Sequence, residues 1–156
     1  MTTRQAIERS REALALISEG SAPALVARGL YLPRSRMLDL WRDVHPTEPP
    51  PIVRARPGGI LRDRASRRSV ALLLAAYRRM ARRHCELDTA ALLQAHRLLR
   101  HLAEMYGETE GLDINEAWII AEAWVDGRLV EERCKACGSH HYWCDEQRGV
   151  FGCPYC

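Results

Sequence analysis

Two Cys-x2-Cys pairs, Cys134-Lys135-Ala136-Cys137 and Cys153-Pro154-Tyr155-Cys156, stand 15 residues apart within the last 23 residues of a 156-residue chain. No other feature limits the fold as sharply. Two residues between cysteines let a tight knuckle aim both sulfurs at one point. Two such knuckles at this separation match the spacing that holds a zinc ion in a sulfur tetrahedron. Gly138 permits the turn out of the first knuckle. His140-His141-Tyr142-Trp143-Cys144 and Gly149-Val150-Phe151 read as two short strands, with Asp145 to Arg148 as the turn between them. The expectation is a zinc ribbon in which Cys134, Cys137, Cys153 and Cys156 hold one Zn2+. Four sulfur ligands leave no open position, so the ion would be structural and not catalytic. Two disulfides, a redox pair or an iron–sulfur cluster are the alternatives. Cys144, His140 and His141 are substitute ligands that lack the knuckle spacing. Cys85 beside His84 reads as a small buried hydrophobe near a helix end, and His96 and His101 as ordinary helix residues.

The opening Met1-Thr2-Thr3-Arg4-Gln5-Ala6 has no apolar h-region. No run approaches the roughly 18 apolar residues of a membrane helix. The expected compartment is the cytoplasm, where reduced thiols favour metal over disulfide.

Ahead of the cysteines the chain reads as mostly α. Residues 4 to 19 carry Ile7, Leu14 and Ile17 at helical spacing and stop at Gly20. A short helix over 22–28 stops at Gly29. A third opens at Pro33, a first-turn residue, with Met37, Leu38 and Trp41 on one side. Helix, short helix, turn and basic helix is the order of a helix-turn-helix. Prolines 46, 49, 50, 51 and 57 with Gly58 and Gly59 then exclude continuous helix. Ser69 would cap a helix to about His84, Asp88 one from Thr89 to about Met105 with Gly107 as stop, and Asp113 with Glu116 a capping box for one ending near Gly127. The expected organisation is a helix-turn-helix-like region over 1–45, a Pro/Gly/Arg-rich linker over 46–69, further core helices over 70–131 and the ribbon over 132–156.

Net charge is only +3, but it is unevenly spread. From Ile52 to His84 there are ten arginines and one acid, Asp63; from His101 to Glu132 there are nine acids and one arginine, Arg128. A basic tract of this kind suits an anionic partner, because neutralised phosphates release counterions. Arg34, Ser35 and Arg36 at the start of the third helix are the candidates for base readout. Arg54, Arg56, Arg62, Arg64, Arg67 and Arg68 would follow a DNA backbone from extended chain. Arg78, Arg79, Arg82 and Arg83 would form a helix face. The sequence has no Gly-x-Gly-x-x-Gly, P-loop, Gly-x-Ser-x-Gly or His-Glu-x-x-His, so an enzyme is not expected.

Several tracts, taken in order, resemble FlhC, the flagellar master transcriptional activator subunit. They are Ala15-Leu16-Ile17 with Gly20, Leu32-Pro33-Arg34-Ser35-Arg36-Met37-Leu38-Asp39-Leu40-Trp41, Pro49-Pro50-Pro51, Gln94-Ala95-His96-Arg97-Leu98, Glu116-Ala117-Trp118, and Val125, Gly127 and Leu129 ahead of the four cysteines. Where FlhC chains have Gly-x-Leu-Pro and then Trp, this one has Gly59-Ile60-Leu61 followed by Arg62 and Asp63. The resemblance implies a helical, zinc-containing, DNA-binding protein that is not an enzyme. It further implies a hetero-oligomer with FlhD that binds promoter DNA and contacts RNA polymerase. The alternative is a zinc-ribbon adaptor that binds a protein partner through its acidic helices and Trp118, Trp124 and Trp143, without touching DNA.

Overall fold

The computed structural model describes residues 2–51, 56–106, 111–147 and 152–156. Their elements are α1 (Thr3–Ser18), α2 (Pro23–Leu30), α3 (Arg34–Val44), α4 (Pro57–Ile60), α5 (Arg64–Met80), α6 (Thr89–Tyr106), α7 (Ile114–Val125), β1 (Val130–Arg133) and β2 (His140–Trp143). The mostly α reading holds. The chain forms two compact units, Met1–Arg54 and Ala55–Cys156.

In the first unit α1, α2 and α3 pack pairwise. Thr2 opens α1 with a capping box: its hydroxyl accepts from the Gln5 amide, and the Gln5 side chain accepts from the Thr2 amide. Gly20 (φ +91) closes α1, donating to the Ile17 carbonyl while Ser21 donates to that of Leu16. The expected stop at Gly29 is not used. α2 runs through Gly29 to Leu30, and Tyr31 takes the left-handed position instead, letting Leu32 donate to the Ala27 carbonyl at 2.9 Å. Pro33 sits at the N-cap of α3, one residue earlier than expected. Leu16, Ile17, Val26, Met37 and Trp41 make the core, each aliphatic side chain contributing about 1.5–3 kcal/mol by leaving water. Trp41 donates its indole N–H to the Thr47 carbonyl at 2.7 Å and stacks on His45 with ring centroids 4.0 Å apart. The start of the proline tract is thereby tied to α3.

In the second unit α5 begins five residues before the expected Ser69 cap. Asp63 is the cap: its carboxylate accepts from the Ser66 amide at 2.8 Å. That bond holds the carboxyl below its ordinary range. Ser69 lies inside the helix and is buried. Residues 64–69, read as extended linker, are therefore helical, because a well-placed carboxylate three residues before an amide donor outweighs the composition around it. α5 also ends at Met80 and not near His84. Asp88 accepts from the Arg82 amide at 3.1 Å and the Ala91 amide at 3.0 Å, and its own amide donates to Tyr77 Oη at 3.0 Å. This clamp turns the chain from α5 into α6. The expected stop at Gly107 lies outside the described residues.

The capping box of α7 forms as read, with Asp113 and Glu116 exchanging bonds to each other's amides. Gly127 (φ +70) ends it. Trp118, Tyr77, Leu73, Leu74, Leu92 and Ile120 are fully buried in this unit. Among the described residues no helix is long and apolar enough to cross a membrane.

Candidate metal centre and basic surfaces

The first cysteine knuckle is the tip of a hairpin. β1 pairs antiparallel with β2, from Val130 opposite Trp143 to Arg133 opposite His140. Between them Cys134 donates its amide to the Ser139 carbonyl, and Gly138 donates to the Cys134 carbonyl, both at 2.9 Å. The tightness of that loop puts Gly138 at φ +74, which a side chain would resist. The second pair is presented with Pro154 buried between its cysteines and with the Tyr155 amide donating to Cys153 Sγ at 3.4 Å.

The four sulfurs converge. Cys134 Sγ lies 3.7 Å from Cys156 Sγ, Cys137 Sγ lies 3.6 Å from Cys153 Sγ, and all four fall within 4.8 Å of one another. A tetrahedron with bonds of about 2.3 Å has edges of about 3.8 Å, close to both short pairs. A disulfide needs about 2.05 Å, and all six cysteines are free. Among the described residues this is the one His/Cys/Asp/Glu group placed to hold a metal ion. His140 turns instead to Glu131, at 2.8 Å; Cys144 is buried outside the cluster, and Cys85, expected to be buried, is exposed beyond the end of α5.

The knuckles also prepare the donors. The Cys137 and Ala136 amides lower the Cys134 thiol, and the Ser139 hydroxyl and amide bring Cys137 down to about 6. Bonds from Cys137, Cys134 and Cys153 push Cys156 up to about 12. Four thiolates this close repel one another, and bound metal is what would let all four lose their protons together. The cluster can hold a metal ion.

The basic residues sit on distinct surfaces. In the first unit Arg34, Ser35 and Arg36 are exposed on the first turn of α3, and Arg36 donates to Ser10 Oγ at 3.3 Å. In the second unit Arg64, Arg68 and Arg79 are exposed on α5. At 100° per residue they fall within roughly 60° of one another. Arg82 is exposed just beyond the helix.

The family model described as "Flagellar transcriptional activator (FlhC)" matches residues 2–156. The chain belongs to the FlhC family. It is also 26% identical to the flagellar transcriptional regulator FlhC of Cupriavidus necator over 162 residues, covering 97% of this chain and 75% of the relative. The FlhC family is one of transcriptional regulators, and the helical fold with clustered terminal cysteines is the one the resemblance implied.

Within this FlhC-family chain the arginines expected on DNA divide by environment. Arg67 is buried, 7% exposed, and donates to the Gly152 carbonyl at 2.6 Å, one residue before Cys153. Arg78 donates to Glu131 at 2.7 Å and to Tyr142 Oη at 3.3 Å, and its guanidinium lies 5.6 Å from the centre of the Trp124 ring. Burial raises the Glu131 carboxyl, and its Arg78 and His140 contacts outweigh this and leave it below its ordinary value. Both arginines fasten α5 to the cysteine-bearing segments. Arg62 pairs with Asp63 at 3.4 Å and Arg83 with Glu86 at 3.5 Å, both exposed pairs of small energetic weight. Arg56 is exposed ahead of α4, and Arg54 lies outside the described residues.

Three positioning features escaped sequence reasoning. β1 is one, since the short, charged Val130-Glu131-Glu132-Arg133 gives no strand signal of its own. The expected strand 149–151 falls outside the described residues. Gln147 is the second, buried with its side-chain amide donating to the Leu61 carbonyl at 3.1 Å. Gly58 is the third. A Cβ there would meet the Glu146 backbone carbonyl at 2.9 Å, so α4 and the segment after β2 approach as closely as backbones can. Gly58→Ala is expected to lower stability by about 1–3 kcal/mol, read as an earlier midpoint in urea unfolding. An unchanged midpoint would mean that the two segments part at no cost.

Proposed function

We propose that this FlhC-family protein binds promoter DNA in a hetero-oligomer with an FlhD-like partner and activates flagellar or related genes through contact with RNA polymerase. The observation that carries the DNA reading is the first turn of α3. It is the third helix of a helix-turn-helix-like unit, entered through a three-residue turn. Its exposed residues there are Arg34, Ser35 and Arg36, two planar donors able to read guanine edges or phosphates and one small hydroxyl. Arg56, Arg64, Arg68, Arg79 and Arg82 supply further exposed cations for backbone phosphates, which position a protein without specifying sequence.

Cys134, Cys137, Cys153 and Cys156 hold one structural Zn2+ in this reading. An all-sulfur, closed site suits zinc, and the free thiols favour it over a disulfide pair. The metal's part is to fix the hairpin tip and the C-terminal segment, which carry little apolar core of their own.

The test is retention of sheared genomic DNA by the full chain, with the chains that co-purify with it, at moderate and high salt, followed by sequencing. Enrichment of a few promoter regions that is lost at high salt is expected. Retention of no DNA under any condition would remove the reading in favour of a protein adaptor. In the same assay Arg34→Ala with Arg36→Ala is expected to weaken binding and to reduce the slope of log affinity against log salt by about 2, one contact per arginine. An unchanged slope would take α3 off the DNA.

A further inference from the structure

The turn between α2 and α3 contains a residue whose identity the fold does not require. Tyr31 has φ +54 and ψ +45, the single non-glycine residue at positive φ among the described residues. Helix-turn-helix turns often place glycine at such a point, because an L side chain in the left-handed region crowds the following carbonyl. Gly29 is two residues away but lies inside α2. The turn needs a left-handed residue so that Leu32 can donate to the Ala27 carbonyl, and nothing in that closure needs a phenol. The Tyr31 side chain is 84% exposed, and its hydroxyl has no hydrogen-bond partner among the described residues. The chain thus accepts a strained aromatic and obtains no packing from it.

The surroundings say what such a group could serve. Tyr31 precedes the exposed Arg34, Ser35 and Arg36 by three to five residues. The α3 N-terminus beside it has no side-chain cap and no acid in its first turn. Free amides and guanidinium groups there favour anionic oxygens, and a phenol alongside them is a neutral donor of the kind that bonds phosphate.

We propose that Tyr31 is a DNA-backbone contact. Its hydroxyl donates to a phosphate oxygen beside the groove that α3 enters and so sets the register in which Arg34, Ser35 and Arg36 meet the bases. The inference rests on the DNA reading given above. It is separable from that reading because a phenol carries no charge: it adds a hydrogen bond without releasing a counterion.

The experiment measures affinity for one retained promoter fragment across a salt series, using the full chain with the chains that co-purify with it. Tyr31→Phe is expected to bind about tenfold more weakly, with the salt slope unchanged. Tyr31→Gly is expected to lose as much affinity while its thermal unfolding midpoint stays level or rises, since glycine suits the left-handed turn and no packing is lost. Wild-type affinity in Tyr31→Phe would overturn the proposal. A clear fall in the midpoint of Tyr31→Gly would overturn it too, by showing that the ring supports the fold. If the unaltered chain retains no DNA, the DNA reading and this inference fall together, whereas unaltered binding by the Phe variant removes this inference alone.

Discussion

Cys137→Ser is expected to abolish stoichiometric metal binding and to unravel the hairpin tip and the C-terminal segment. Metal analysis of the purified chain should give one zinc per chain for the wild type and none for the variant. The reason is the smallness of what the metal holds. The loop over 134–139 has two backbone hydrogen bonds and an exposed Cys137, and the returning segment over 152–156 has Pro154 as its one buried residue. Small zinc modules draw about 10–16 kcal/mol of apparent binding free energy from the metal, far more than such a segment obtains by burying side chains. Serine keeps the size of the side chain but offers a hydroxyl that does not ionise near neutral pH, leaving three sulfurs. Helices α5, α6 and α7 have their own core and should survive, so helical circular dichroism is expected to fall little while the Trp143 environment changes. A variant that still binds one zinc tightly would refute Cys137 as a ligand.

That partition also explains which parts of the chain could be read from sequence. The cysteine cluster was legible because knuckle spacing is a local property: two residues between sulfurs fix the geometry whatever surrounds them. The capping box of α7 and the Asp88 cap are local in the same sense. What failed was nonlocal. Arg67 and Arg78 look like any other basic residues, and nothing in the sequence says that one will meet the Gly152 carbonyl and the other Glu131, 85 and 53 residues away. A charge pattern names the partners a surface could have, but folding decides which charges are left for them: Arg67 is buried, and Arg78, though exposed, is held by Glu131 and Tyr142. The start of α5 was misplaced because the proline- and arginine-rich composition ahead of Ser69 reads as linker, whereas the Asp63 carboxylate caps the helix at the Ser66 amide. Tyr31 was missed because left-handed backbone is expected at glycine, and Gly29 was on hand.

Trp118→Ala is expected to cost about 3–5 kcal/mol, and the variant tests whether Trp118 belongs to the core or to the protein-binding face of the adaptor reading. An adaptor would use Trp118 as part of a protein-binding face. The residue is instead 0% exposed, on the inward side of α7 with Ile114, Ala117 and Ala121. α7 packs against α4, α5 and α6, so emptying this site would loosen the unit that carries Arg64, Arg68 and Arg79. The indole N–H finds no acceptor among the described residues, which is itself a cost. Trp118→Phe removes that unmet donor while keeping most of the volume, and is expected to cost less than half as much as the alanine variant. The measurement is urea unfolding of the full chain followed by tryptophan fluorescence and circular dichroism together. An alanine variant as stable as the wild type would mean that the side chain does not pack as described, and would return Trp118 to the surface the adaptor reading gave it. A large loss that phenylalanine mostly restores assigns Trp118 to the core and removes it from any partner-binding face.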